Sequence, residues 1–136
     1  MMSPMTTEDV RLTIRSWDEQ PYRELPGGRV LKSAEVVLGG DGEPLEGTWR
    51  ALLYYNPDGT SVFTGVLPVS GSLGGRAGSF VLAGRGSFDG TTAEMSLEII
   101  PGSGTDDLDG ITGRAEHAST HADYPHFPLL LTYEIG

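Results

Sequence analysis

The chain has 136 residues, with 9 basic side chains against 19 acidic ones, a formal net charge of −10 and no cysteine. Its Lys and Arg residues stand singly along the chain, so neither a nucleic-acid backbone nor an anionic membrane surface is an expected partner. Without a thiol there is no disulfide, no cysteine nucleophile and no thiolate metal site. A hydrophobic content of 38% suits one domain with a modest core, and 20 glycines with 9 prolines favour many turns between short strands.

Residues 1–8 read as a polar, disordered tail, and the single domain is expected over 9–136. The first residues lack an apolar run and a cleavage site, so no signal peptide is expected. No segment approaches the roughly 20 apolar residues that cross a bilayer, and a cytoplasmic location is expected. Val10, Leu12 and Ile14 alternate with Arg11, Thr13 and Arg15, the period of a half-buried strand. Residues 17–22 (WDEQPY) break it, and Pro26-Gly27-Gly28 turns. A second strand spans about 30–38. A third, 45–55, carries Trp49, Leu53, Tyr54 and Tyr55 and ends on Asn56-Pro57-Asp58-Gly59, a strong hairpin turn. Strand four covers about 61–69, where Pro68 suggests a bulge or an end.

Strand five runs over 77–86 between glycine turns, and strand six over 92–100. In strand six Ala93, Met95, Leu97 and Ile99 oppose Glu94, Ser96 and Glu98, the cleanest alternation in the chain. A turn region over 101–113 leads to a short strand seven ending at His117. A polar loop over 121–128 precedes the last strand, 129–135. No segment has a helical period. Eight sequential strands predict an all-β fold, a single closed eight-stranded antiparallel up-and-down β-barrel. At that size the interior is just filled or holds one small ligand, and closure removes exposed edges.

Ser16-Trp17-Asp18-Glu19-Gln20-Pro21-Tyr22, Leu45-Glu46-Gly47, Tyr55 with Asp58-Gly59, the run from Gly71 to Phe80, Phe88-Asp89-Gly90 and Pro101-Gly102-Ser103-Gly104-Thr105 stand in an order that resembles a bacterial family. That family of small proteins is catalogued as a domain of unknown function, and its members are similar to the allene oxide cyclase barrel. The resemblance covers about 10–135 and implies an allene oxide cyclase-like fold without implying a reaction. Barrels of similar kind include allene oxide cyclases, dirigent proteins and cyclases of bacterial polyketides. They work without a redox cofactor, by holding a reactive apolar chain in a shaped cavity. The sequence departs from the family at Asp106-Asp107-Leu108-Asp109 and in His117, His121, Tyr124 and His126.

Several constellations have plainer readings. Residues 105–116 place acids and Gly110 partly as a calcium loop does, but position one is Thr and strands flank it. Strand positions four apart, such as His117 and His121, lie about 13 Å apart, too far for one ion. No metal and no cofactor are therefore expected. Gly102-Ser103-Gly104-Thr105 lacks the Lys and the helix of a phosphate loop, and no Gly-x-Ser-x-Gly elbow exists.

The candidate site residues come from the strand faces. With Met95 and Leu97 inward, the matching inward positions are Trp49, Leu53 and Tyr55, then Phe80, then Leu131 and Tyr133, with His117 on strand seven. Simple barrel filling is the plain reading of each apolar one. Glu35 alternates with Leu31 and Val37 and joins the inward set, the alternative being an outward solvated carboxylate, since a buried unpaired charge is costly. Desolvation would tune Glu35 and His117 for proton transfer, and Tyr55 could polarise a carbonyl. Two functional classes follow. One is a cofactor-independent cyclase or isomerase, with Tyr55, His117 and Glu35 catalytic and Trp49, Leu53, Phe80, Met95, Leu97, Leu131 and Tyr133 binding an apolar substrate such as a polyketide intermediate closing a ring by cycloaddition. The other is a non-enzymatic carrier of an apolar ligand. A structural barrel without a site is the third reading, and a homo-oligomer stays open.

Overall fold

Successive side chains of a strand point to opposite faces, and the Val10, Leu12, Ile14 alternation opens β1, Thr6–Leu25, in a computed structural model that describes residues 5–136. The further strands are β2, Arg29–Gly39, β3, Leu45–Tyr55, β4, Ser61–Leu73, β5, Arg76–Phe88, β6, Thr92–Ile99, β7, Ile111–Thr120, and β8, His126–Ile135. Two three-residue 3₁₀ turns, Asp106–Leu108 and His121–Asp123, complete the described elements. Each strand pairs antiparallel with the next, and β1 pairs with both β2 and β8, so the sheet returns on itself as a ring. The fold is thus all-β and barrel-like, and the ring closes through Thr6–Thr13 of β1, which pair with β8, while Ser16–Leu25 pair with β2 alone.

The departures from the sequence reading concern where strands stop. Thr6, Thr7 and Glu8, expected in a tail, pair with Tyr133, Thr132 and Leu131, while residues 1–4 of that tail lie outside the described residues. β1 does not break at 17–22. It absorbs two register shifts instead, one between Ile14 and Ser16 and one between Pro21 and Arg23. β4 passes through Pro68 in continuous register with β5. β7 continues past His117 to Thr120, and β8 begins at His126.

The two ends of the ring are filled differently. Towards the 74–75 and 101–110 turns the inward positions are large: Leu38, Leu67, Phe80, Leu82, Leu97, Ile111, Leu129 and Leu131 are fully buried. The 3₁₀ turn at Asp106–Leu108 drops Leu108 into this end. It packs there because Gly78 of β5 has no Cβ, and an added one would strike the Thr105 carbonyl and stand 3.2 Å from Leu108 Cβ. Towards the 56–60, 89–91 and 121–125 turns small inward side chains stand among large ones, and that end stays open.

Candidate functional site

Small residues at inward positions leave space. Ala34, Ser61, Ala93 and Ser119 line a cavity of about 350 Å³ at the open end, within the range of small-molecule pockets. On β5 the position facing Phe63 and Met95 in register is Gly86. A Cβ there would stand 2.6 Å from the Phe63 ring, so glycine is what lets Phe63 lie against this strand. Phe63 in turn meets Trp49 edge to face, with ring centroids 6.3 Å apart. Trp49, Leu53, Phe63, Met95 and Phe127 form an apolar wall, and Thr91, Thr120, His121, Tyr124 and His126 form a polar rim.

Two polar devices sit on that wall. The first is built on β1. The register shift after Ile14 inserts one residue, and a one-residue slip exchanges the two faces of a strand. The inward set therefore changes from Val10, Leu12 and Ile14 to Trp17 and Glu19, which pair with the inward Val36 and Ala34. Arg15 anchors the shift, donating from Nε to the Gly39 carbonyl at 2.9 Å and from Nη2 to the Gly40 carbonyl at 3.1 Å. Glu19 then accepts from the Tyr55 hydroxyl on Oε1 at 2.7 Å and from Trp17 Nε1 on Oε2 at 2.6 Å. Burial pushes the Tyr55 phenol well above its usual range, and its bond to Glu19 and the Glu19 charge push it further. Tyr55 is therefore a standing hydrogen-bond donor. Lys32 Nζ lies 4.4 Å from the centroid of the Tyr55 ring, a cation–π contact.

The second device is on β7. His117 is buried, with its ring stacked on Phe127 at a centroid distance of 3.7 Å. Nδ1 lies 2.7 Å from the Pro128 carbonyl oxygen, and Nε2 lies 2.9 Å from Ser119 Oγ. A carbonyl oxygen only accepts, so Nδ1 carries the proton. Burial pushes His117 below the ordinary imidazole range, opposed by the Pro128 bond and the Asp123 charge.

Of the residues singled out from the sequence, Trp49, Leu53, Tyr55, Met95 and His117 line the cavity. Phe80, Leu97, Leu131 and Tyr133 are buried inward as expected but pack in the filled half, away from it. Glu35 is not inward. It is 45% exposed and pairs with Arg50 across β2 and β3 at 2.9 Å. The run Val36-Val37-Leu38 fits either face. The face chosen is Ala34, Val36 and Leu38, which buries aliphatic groups and leaves the carboxylate solvated. Glu19, Trp17 and Ser119 escaped the sequence reading. Two of them follow the register shift, and Ser119 lies beyond the expected end of β7. Among the described residues no three His, Asp or Glu side chains converge as a metal site, and no helix is long and apolar enough to cross a membrane.

The family model described as "Protein of unknown function (DUF3224)" matches residues 10–130. The fold is similar to that of a crystal structure of a DUF3224-family protein with unknown function from Shewanella oneidensis MR-1. The TM-score is 0.69 and the identity 21%, over 97% of this chain and 98% of that one. No curated protein matches.

Proposed function

The chain belongs to the DUF3224 family, and we propose that this member binds an apolar small molecule in its open-ended cavity and closes or rearranges a ring in it without a cofactor. The observation that carries the reading is a cavity of about 350 Å³ whose wall is apolar and whose polar groups are few and fixed. In a cycloaddition two carbon–carbon bonds form as π bonds are consumed, and no atom leaves. Such a step needs the two termini held together more than it needs proton transfer. Trp49, Phe63, Leu53 and Met95 would fold a flexible chain, and a conjugated carbonyl that takes the place of Glu19 on the Tyr55 hydroxyl would meet a donor that stays protonated. For an isomerisation, the Glu19 carboxylate is the base on the wall. The likeness to allene oxide cyclase barrels noted from the sequence points the same way, as analogy of fold.

The test is incubation with a linear polyene ketone, with product analysis. Wild-type protein should convert it to a cyclic isomer of equal mass, and Tyr55→Phe should lower turnover by about 100-fold with the fold intact by circular dichroism. Polyene bound but recovered unchanged would favour a carrier, which needs the apolar wall and neither Tyr55 nor Glu19. No binding at all would remove both.

A further inference from the structure

The pair on β7 has a chemistry that ring closure does not use. Positions two apart on a strand share a face, so His117 and Ser119 both look into the cavity. Ser119 Oγ is 2.9 Å from Nε2, and the Pro128 carbonyl, 2.7 Å from Nδ1, fixes the tautomer. In the neutral ring Nε2 is then a lone pair aimed at the serine hydroxyl, and the Phe127 stack holds the ring plane. A nucleophile, a base within hydrogen-bond reach and a third group orienting that base is the arrangement that activates a serine.

We propose that Ser119 and His117 form a nucleophile–base pair that takes up an apolar acyl group from an ester or thioester bound in the cavity. Ser119 Oγ attacks the acyl carbon as its proton passes to His117 Nε2. The ester bond breaks, and the departing alkoxide or thiolate collects that proton. The acyl chain, now bonded to Ser119, lies along the wall of Met95, Phe63 and Trp49. Water entering by the mouth reverses the sequence, giving its proton to Nε2 and releasing a carboxylic acid and free Ser119. The Thr91 hydroxyl and the His121 ring line the same mouth and offer donors on that rim. The proposal rests on the cavity but not on ring closure. A chain that cyclises nothing can still be acylated, and an acylated chain need not cyclise.

The test is incubation with p-nitrophenyl hexanoate, followed by stopped-flow release of nitrophenolate and peptide mass mapping. The expected result is a burst approaching one equivalent per chain and one hexanoyl group on the peptide bearing Ser119. Ser119→Ala should lose both, and His117→Gln should slow acylation by about 100-fold. Ser119→Cys keeps the geometry if His117→Gln does not fold, and its thiol should alkylate with iodoacetamide near neutral pH about 10-fold faster than free cysteine. No adduct in the wild type, an adduct elsewhere, wild-type acylation of Ser119→Ala, or a thiol in Ser119→Cys that alkylates no faster than free cysteine would each overturn the proposal.

Discussion

His117 shows how one residue couples the site to stability. Its Nδ1–H takes the Pro128 carbonyl and its Nε2 faces Ser119, with Phe127 stacked on the ring. Burial holds its folded pKa below the ordinary value of about 6.5. The unfolded chain therefore takes up this proton first as pH falls, and stability is lost as the pH drops through that range. Above the ordinary imidazole pKa the contribution is fully present. The thermal midpoint of the wild type should thus fall between about pH 7.5 and 5.5, and His117→Gln should flatten that fall. Equal slopes for the two proteins would remove His117 as the cause. At this scale Trp49, Leu53, Tyr55, Met95 and His117 were legible because strict alternation carries each strand through them. Glu35 was misread because its strand has apolar residues on both faces, and pairing with Arg50 decides the matter only in three dimensions.

β1 is the element that makes the site, through one inserted residue. Before the shift Val10 and Leu12 fill the core, and after it Trp17 and Glu19 reach the cavity. Trp17-Asp18-Glu19-Gln20-Pro21-Tyr22 has no clean alternation, so a break was the natural reading, and the bulge that explains it leaves no local sequence mark. What holds the bulge is remote: Arg15 bonds the Gly39 and Gly40 carbonyls and lies 3.3 Å from a Glu43 carboxylate oxygen, which also accepts from the Thr13 backbone N–H. Arg15→Ala should cost about 2 kcal/mol by the loss of charge-assisted hydrogen bonds, measured by urea unfolding. It should also weaken the Tyr55–Glu19 contact. An unchanged unfolding midpoint would mean that the β1 backbone holds the shift unaided.

For the whole molecule, eight strands in sequential order were legible from turn residues alone, since Asn-Pro-Asp-Gly, Leu-Gly-Gly-Arg and Phe-Asp-Gly punctuate the chain at strand-length intervals. The cavity was not. It depends on which small residues share a level around the ring, and that level is set by the stagger of eight strands. Ala34, Ser61, Ala93 and Ser119 look unremarkable along the sequence, and only ring closure gathers them around one cavity with Trp49 and Phe63. The filled end, with Phe80, Leu97 and Leu131 in it, supplies the core, so the open end is free to stay hollow.

The central claim is that this hollow is a ligand site. The most direct measurement is titration with an uncharged linear polyene ketone, followed by quenching of tryptophan fluorescence, in the wild type and in Ala93→Phe. Ala93 lines the cavity opposite Ser119 in register, so a phenyl ring there occupies the space a ligand would take. The expected result is saturable one-site binding in the wild type and at least about 10-fold weaker binding in the filled variant, a loss of about 1.4 kcal/mol. Absence of saturable binding, or equal affinity in both proteins, would contradict it.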